Sequence, residues 1–306
     1  MATQRQPTLI SKPTSTAVAL RRARTEDAAT CGRIVYEAFR KIATEHNFPP
    51  DFPNVEIATQ ILSMMFSHPR FYGVVAETDG KIVGSNCLDE RNAIAGVGPI
   101  TVDPAAQNQH IGRTLMEAVL TRAEEEKFRG VRLLQAAYHG RSLSLYTKLG
   151  FVAREPISTM QGPAIKTRLP GYMVRRASKA DIAECNRLCH QVHGHDRSGE
   201  LEDAVNQGTA VVTERDGQIT AYATGLAYFA HAVGETNADL QALIANADVF
   251  EGVGILVPTR NAALFRWCLE HGLRVVQPMT LRPSASTTNL QEHFFLNTLL
   301  RPMSPI

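Results

Sequence analysis

The sequence predicts an α/β protein of two tandem units, each a twisted mixed β-sheet flanked by helices. Three observations predict it. The chain has 306 residues, 44% hydrophobic and 20% charged, which suffices for a sizeable core and for about two domains of ordinary size. Strand signals alternate with helical periodicity along its length. Three short stretches recur in the same order, as after a tandem duplication.

The order of elements follows from local signals. Residues 1–17, rich in hydroxyls with Pro7 and Pro13, read as a disordered tail. Next, "RRARTEDAATCGR" from Arg21 matches "RRASKADIAECNR" from Arg175, each a strand end and then a helix opened by a polar and acidic cap. The loop "HNFPPDFPN", His46 to Asn54, has no counterpart in the second copy. Then "VVAETDGKIVG" from Val74 matches "VVTERDGQITA" from Val211. Both read as hairpins whose Asp-Gly pairs supply positive φ. After "AIAGVGPITVDP", a strand whose "GVGP" suggests a bulge, comes "QNQHIGRTLM", Gln107 to Met116. The helix it opens carries Leu115, Met116, Val119, Leu120 and Ala123 on one apolar face. The strand "VRLLQAAY" leads to "HGRSLSLYTKLGF", which matches "NAALFRWCLEHGL", both helices closed by a C-cap glycine, Gly150 and Gly272. The units are expected at 18–165 and 172–283, with a tail at 284–306. The second copy has no glycine loop before its helix, so the chemistry is expected in the first.

Composition excludes several classes of function. A formal charge of +2 with dispersed Lys and Arg argues against nucleic acid and against an anionic membrane. No apolar run approaches the ~18 residues of a membrane span. Five cysteines, an odd number set within apolar periodicity, suit buried reduced thiols and hence a cytoplasmic protein. In "CNRLCHQVHGHD", Cys185, Cys189 and His193 share a helix face, but they align with Cys31, Val35 and Phe39 of the first copy, so they read as packing and no metal is expected.

The loop at Gln107 carries chemistry. A helix N-terminus presents unpaired amides and the positive end of a dipole to any anion placed there. Glycine at such a turn admits positive φ and close approach, whereas another residue in the left-handed region costs roughly 1–2 kcal/mol. His110 stands where such turns have glycine. Histidine is tolerated there more often than most residues, and its ring can donate to a phosphate oxygen. Weakened or reshaped binding is expected, with Gln107, Asn108, Gly112 and Arg113 completing the loop.

From about Val18 to about Glu155 the strands, the "PITVDP" strand, the Q-x-x-x-x-G loop and "SLYTKLGF" together resemble the GNAT superfamily of acyl-CoA N-acyltransferases. The second copy, from about Tyr172 to Leu281, resembles it weakly, so the whole is similar to a tandem-GNAT protein with a full first unit and a reduced second one. The resemblance implies acetyl-CoA as co-substrate, held by the loop and by backbone groups near Ile100 and Val102 on a splayed strand. His139, which stands where the family often has asparagine, and Ser142 are implied beside it. Tyr146 matches the family's tyrosine that protonates the departing thiolate. The family's strand-borne carboxylate is missing, and candidates for the base are Glu90, Asp89, Asp51, His46 and His139, with Glu90 set beside Tyr146. Phe48, Asp51 and Phe52, with Phe71, are expected to line a pocket for an amine acceptor, a small molecule, with the second unit as its wall. The implied reaction is acetyl transfer to a primary amine in a ternary complex. The alternative is a non-catalytic acyl-CoA sensor or interaction protein. Oligomeric state is left open.

Overall fold

The computed structural model describes residues 17–195 and 197–284. The expected tails lie almost entirely outside them. The first unit runs β1 (Ala19–Arg22), α1 (Ala28–Glu45), α2 (Val55–Ser67), β2 (Phe71–Thr78), β3 (Lys81–Asp89), β4 (Ile94–Val97), β5 (Thr101–Val102), α3 (Ile111–Glu125), β6 (Gly130–Ala136), α4 (Gly140–Lys148) and β7 (Glu155–Gln161). The second runs β8 (Met173–Arg176), α5 (Ile182–His193), α6 (Ser198–Gln207), β9 (Val211–Arg215), β10 (Gln218–Ala223), β11 (Ala232–Gly234), α7 (Asn237–Ala245), β12 (Ile255–Pro258), α8 (Ala262–Glu270) and β13 (Arg274–Pro283).

All three repeats fold alike, each for a local reason. Arg21 pairs with Asp27 and Glu77, and Arg175 pairs in the same way with Asp181 and Glu214. The turns at Asp79-Gly80 and Asp216-Gly217 take positive φ at both residues, 51° and 72° in the first and 53° and 73° in the second, the mirror-image geometry that continues the twist of a hairpin. Gly150 and Gly272 close their helices at φ 86° and 88°. Beyond each, Phe151 and Leu273 donate back to Tyr146 and Cys268.

The two units share one sheet. Its order is β1-β2-β3-β4-β6-β13-β7-β12, with β5 pairing β3 outside this path. The last strand of each unit crosses to the other: β13 lies against β6, β7 lies against β12, and β7 and β13 pair antiparallel between them. The repeats predicted two α/β units, and the exchange adds that neither unit closes its sheet alone. Strands β8 to β11 form a separate antiparallel sheet of four, in the order β11-β10-β9-β8.

Packing follows the apolar faces. Leu115, Met116, Val119 and Ala123 of α3 are buried with Leu88, Leu133 and Phe151, while Leu120 is partly buried. Helices α1 and α2 cover the other face through Cys31, Val35, Ala58 and Leu62. All five cysteines are free and buried. Cys185 and Cys189 are fully enclosed in the core beneath α5. No helix among the described residues is long and apolar enough to cross a membrane.

One break in the sheet positions the site. β4 pairs parallel with β6 only from Ile94↔Gly130 to Val97↔Leu133. Gly98 then takes φ +128°, a conformation that favours glycine. The chain resumes as β5 on β3 alone, through Gly84↔Val102 and Ser85↔Thr101. A wedge opens between β5 and the far end of β6.

Candidate active site

The loop before α3 borders this wedge. His110 is the N-cap of α3 at φ 62° and ψ 2°, the left-handed conformation expected of it, and no side chain caps the helix. Asn108 is also left-handed, at φ 70°. The first turn holds no acid, so the amides at Ile111, Gly112 and Arg113 face outward with the helix dipole behind them. A Cβ on Gly112 would come no closer than 3.7 Å to its neighbours, so packing does not require the glycine, and its absent side chain leaves those amides open. Arg113 lies to one side, paired with Glu117.

Arg141 of α4 fixes the loop, donating to Gln107 Oε1 at 3.1 Å and to Asn108 Oδ1 at 2.7 Å. Gln107 Nε2 in turn donates to the Val102 carbonyl at 3.4 Å. Sequence reasoning missed Arg141, for no local signal links it to a loop thirty-odd residues earlier.

The matching helix of the second unit is closed to anions. Thr236 caps α7, and Asp239 completes a capping box from the first turn. Asp239 is fully buried. It accepts from Thr220 Oγ1 at 2.7 Å and pairs with Arg215. A buried carboxylate already occupies the place an anion would take.

Tyr146 projects from α4 into the core of the first unit and is 8% exposed. Its ring meets Phe151 edge-on at 6.1 Å. Burial pushes its hydroxyl up to about 12, against the pull of Arg282, so it holds its proton at neutral pH. Arg282 comes from β13, is 2% exposed, and forms no ion pair among the described residues. Neutral acceptors hold it: Gln135 Oε1 at 3.2 Å, Thr147 Oγ1 at 2.7 Å and the Phe151 carbonyl at 2.9 Å. Nothing in the sequence ties this arginine of the second copy to the tyrosine of the first.

A cleft of about 470 Å³ opens beside the loop, lined by Lys41, Glu45 and His46 of α1 and its end, by Gln107, and by His139, Arg141 and Ser144 around the start of α4. Burial, with Arg141 and His46 nearby, lowers the His139 pKa, so its ring is neutral at pH 7. Ser142 does not line this cleft. Its hydroxyl donates to the His139 carbonyl at 3.0 Å and accepts from Gln135 at 3.1 Å, inside the fold.

Four of the expected residues have other work. Glu90 is bound by Arg122 through contacts of 2.7 and 3.2 Å, and Arg122 lies in the last turn of α3, at the far end from His110. Glu90 therefore stays outside the cleft, as does Asp89, which Arg91 holds at 2.7 Å. Phe52 is 5% exposed and packs on Phe39 edge-on at 5.4 Å, inside the α1–α2 core. Phe71 is buried in that core as well. A loop phenylalanine beside an amphipathic helix gains more from that core than from an open pocket. Phe48 instead stacks on Tyr138 at 4.1 Å.

A split parallel pair with an uncapped helix N-terminus beside it defines a fold of the GNAT type. Residues 34–151 match the model of the Acetyltransferase (GNAT) family. No curated protein matches the chain significantly. A protein of Pyrococcus horikoshii assigned as an acetyltransferase superposes with a TM-score of 0.70 at 17% identity, over 97% of this chain and 99% of that one. A GCN5-related N-acetyltransferase from Sphaerobacter thermophilus gives 0.59 at 14% identity, over 92% and 98%. A tandem GNAT protein from the clavulanic acid biosynthesis pathway gives 0.56 at 13% identity, over 88% and 99%. At these identities the similarity is one of fold, and it extends over both units.

Proposed function

We propose that this chain is an acyl-CoA-dependent N-acyltransferase that transfers acetyl from acetyl-CoA to a primary amine by direct attack in a ternary complex. The observation that carries this reading is the uncapped N-terminus of α3, left-handed at His110 and clamped by Arg141, beside a strand break whose Ile100 and Val102 pack on the same core as Tyr146. The amides of Ile111 to Arg113 bind the pyrophosphate of the co-substrate. Backbone groups near Ile100 and Val102, on the strand that leaves β6, hold the pantetheine arm and steady the carbonyl oxygen as it gains charge.

The amine nitrogen forms a bond to the thioester carbonyl carbon and the carbon–sulfur bond breaks. Tyr146 gives its proton to the departing sulfur, and Arg282 steadies the phenolate until solvent protonates it again. The nitrogen gives up its proton to His139, which is neutral and lines the cleft. In this reading domain one, 18–165, performs the chemistry. Domain two, 172–283, no longer binds the co-substrate and serves as a wall. Five buried thiols suit a reducing compartment such as the cytoplasm.

Thiol release from acetyl-CoA, followed with a thiol reagent over a panel of amines, tests the reading. Wild type is expected to turn over, and Tyr146→Phe to lose about 10²-fold in kcat with acetyl-CoA affinity kept. Turnover unchanged in Tyr146→Phe removes the tyrosine from the mechanism. Calorimetric binding of acetyl-CoA without turnover of any amine assigns the chain as a sensor.

A further inference from the structure

The loop that only the first unit carries meets the exchanged strand of the second. Asp51, in that loop, accepts a hydrogen bond from Gln277 Nε2 of β13 at 2.8 Å. The other end of the same amide accepts from the Tyr138 hydroxyl at 3.0 Å. Asp51 forms no ion pair among the described residues, yet it is half-buried, and burial raises its pKa against the bond from Gln277. Tyr138 and Tyr228 feel its charge, and burial raises both of their hydroxyls as well. Tyr228 belongs to the β10–β11 connection, so the second unit contributes two of these groups.

The cluster borders the cleft. His46 lines that cleft, and its ring lies 5.2 Å from that of Tyr138, on which Phe48 also stacks. A carboxylate taken out of water without a cation costs folding free energy. Such a cost is retained where a ligand supplies the missing charge. Aromatic rings around a lone carboxylate match a cation carried on an apolar body.

Resting on the acyltransferase reading, we propose that Asp51, oriented by Gln277 and flanked by Tyr138, Phe48 and Tyr228, is the acceptor subsite, and that the acceptor is a primary ammonium borne on an aromatic or apolar body. The second unit thus builds part of the site it does not catalyse in. Asp51 pairs with the arriving ammonium, which gives one proton to solvent before the neutral amine attacks, and Gln277 holds the carboxylate in place. The stacked Phe48–Tyr138 pair and Tyr228 supply the apolar surroundings that select the body.

Calorimetry on the full chain tests this, with and without coenzyme A, using 2-phenylethylamine, tyramine and tryptamine at millimolar concentration and 2-phenylethanol as the neutral isostere. At least one amine is expected to bind, 2-phenylethanol at least tenfold more weakly, and Asp51→Asn to lose at least tenfold for the amine alone. Asn accepts the same bond from Gln277, so the variant is expected to fold. Equal affinity of Asp51→Asn for the amine, equal affinity of wild type for the alcohol, or no binding of any of the three amines overturns the proposal. These readings need no turnover. A failure of the transfer chemistry shows separately, as loss of acetyl-CoA binding or an unchanged Tyr146→Phe rate.

Discussion

Asp51, half-buried, and Arg282, buried, are opposite cases of one condition, a charge drawn out of water and held by neutral partners. Each costs stability, and each stands beside a group that the proposed reaction uses. The sign for Asp51 is definite. Its folded pKa is raised above the ordinary 3.8, so the fold favours the protonated carboxyl. That contribution is fully present below the unfolded value and is lost as pH rises through the folded one. Above both values the ionised group is a net burden. Asp51→Asn is therefore expected to melt roughly 1–2 °C higher than wild type at pH 8, a gain of about 1 kcal/mol for a chain of this size. The difference should vanish below about pH 4, near the ordinary carboxylate range. Thermal denaturation across pH checks this, and a lower melting temperature at pH 8 would mean that the ionised carboxylate is a structural support.

At the scale of elements, the two helices that follow the wedge strands show how one duplicated part can diverge. α7 is capped by its own Thr236 and Asp239, which satisfies its first amides and places a carboxylate at the positive end of its dipole. α3 has neither cap, and its first turn is stable enough only because α3 is packed along its length against the sheet. The backbone at His110 is left-handed, so the residue there is constrained by conformation whether or not its ring touches a ligand. Replacing it separates the two roles. His110→Gly is expected to keep acetyl-CoA affinity within about threefold, since glycine adopts this conformation freely. His110→Val, β-branched and unsuited to positive φ, is expected to cost roughly 1–2 kcal/mol and to weaken binding about tenfold. Calorimetry on the pair decides it, and a tenfold loss in His110→Gly would assign the ring itself to the phosphate. This conformation was legible in the sequence, as were the Asp-Gly turns and the C-cap glycines, because each is set by residues within a few positions. Glu90 and Phe52 were misread because an acid and an aromatic near a site look the same in sequence whether they face Arg122 and Phe39 or a ligand.

For the whole molecule the exchanged strands matter most. Arg282 reaches Gln135 across 147 residues, and Gln277 reaches Asp51 across 226. No repeat or periodicity signals such a pairing, since β7 and β13 would read the same packed within their own units. The exchange also determines how the protein comes apart. β13 pairs with both β6 and β7, and β12 pairs only with β7, so removing the second unit exposes the edge of β6 and strips β7 of both neighbours. Unpaired strand edges invite association with other chains. A fragment ending near residue 170 is therefore expected to aggregate or self-associate in gel filtration, and co-expression with the remainder to restore a monodisperse complex. For the same reason the full chain is expected to melt in one calorimetric transition with equal calorimetric and van't Hoff enthalpies, although two units of this size ordinarily unfold in steps. Two resolved transitions, or a soluble N-terminal fragment with its own sharp melt, would show that each unit closes its sheet without the other. The acceptor subsite would then have to form within the first unit alone, because Gln277 and Arg282 arrive only on β13.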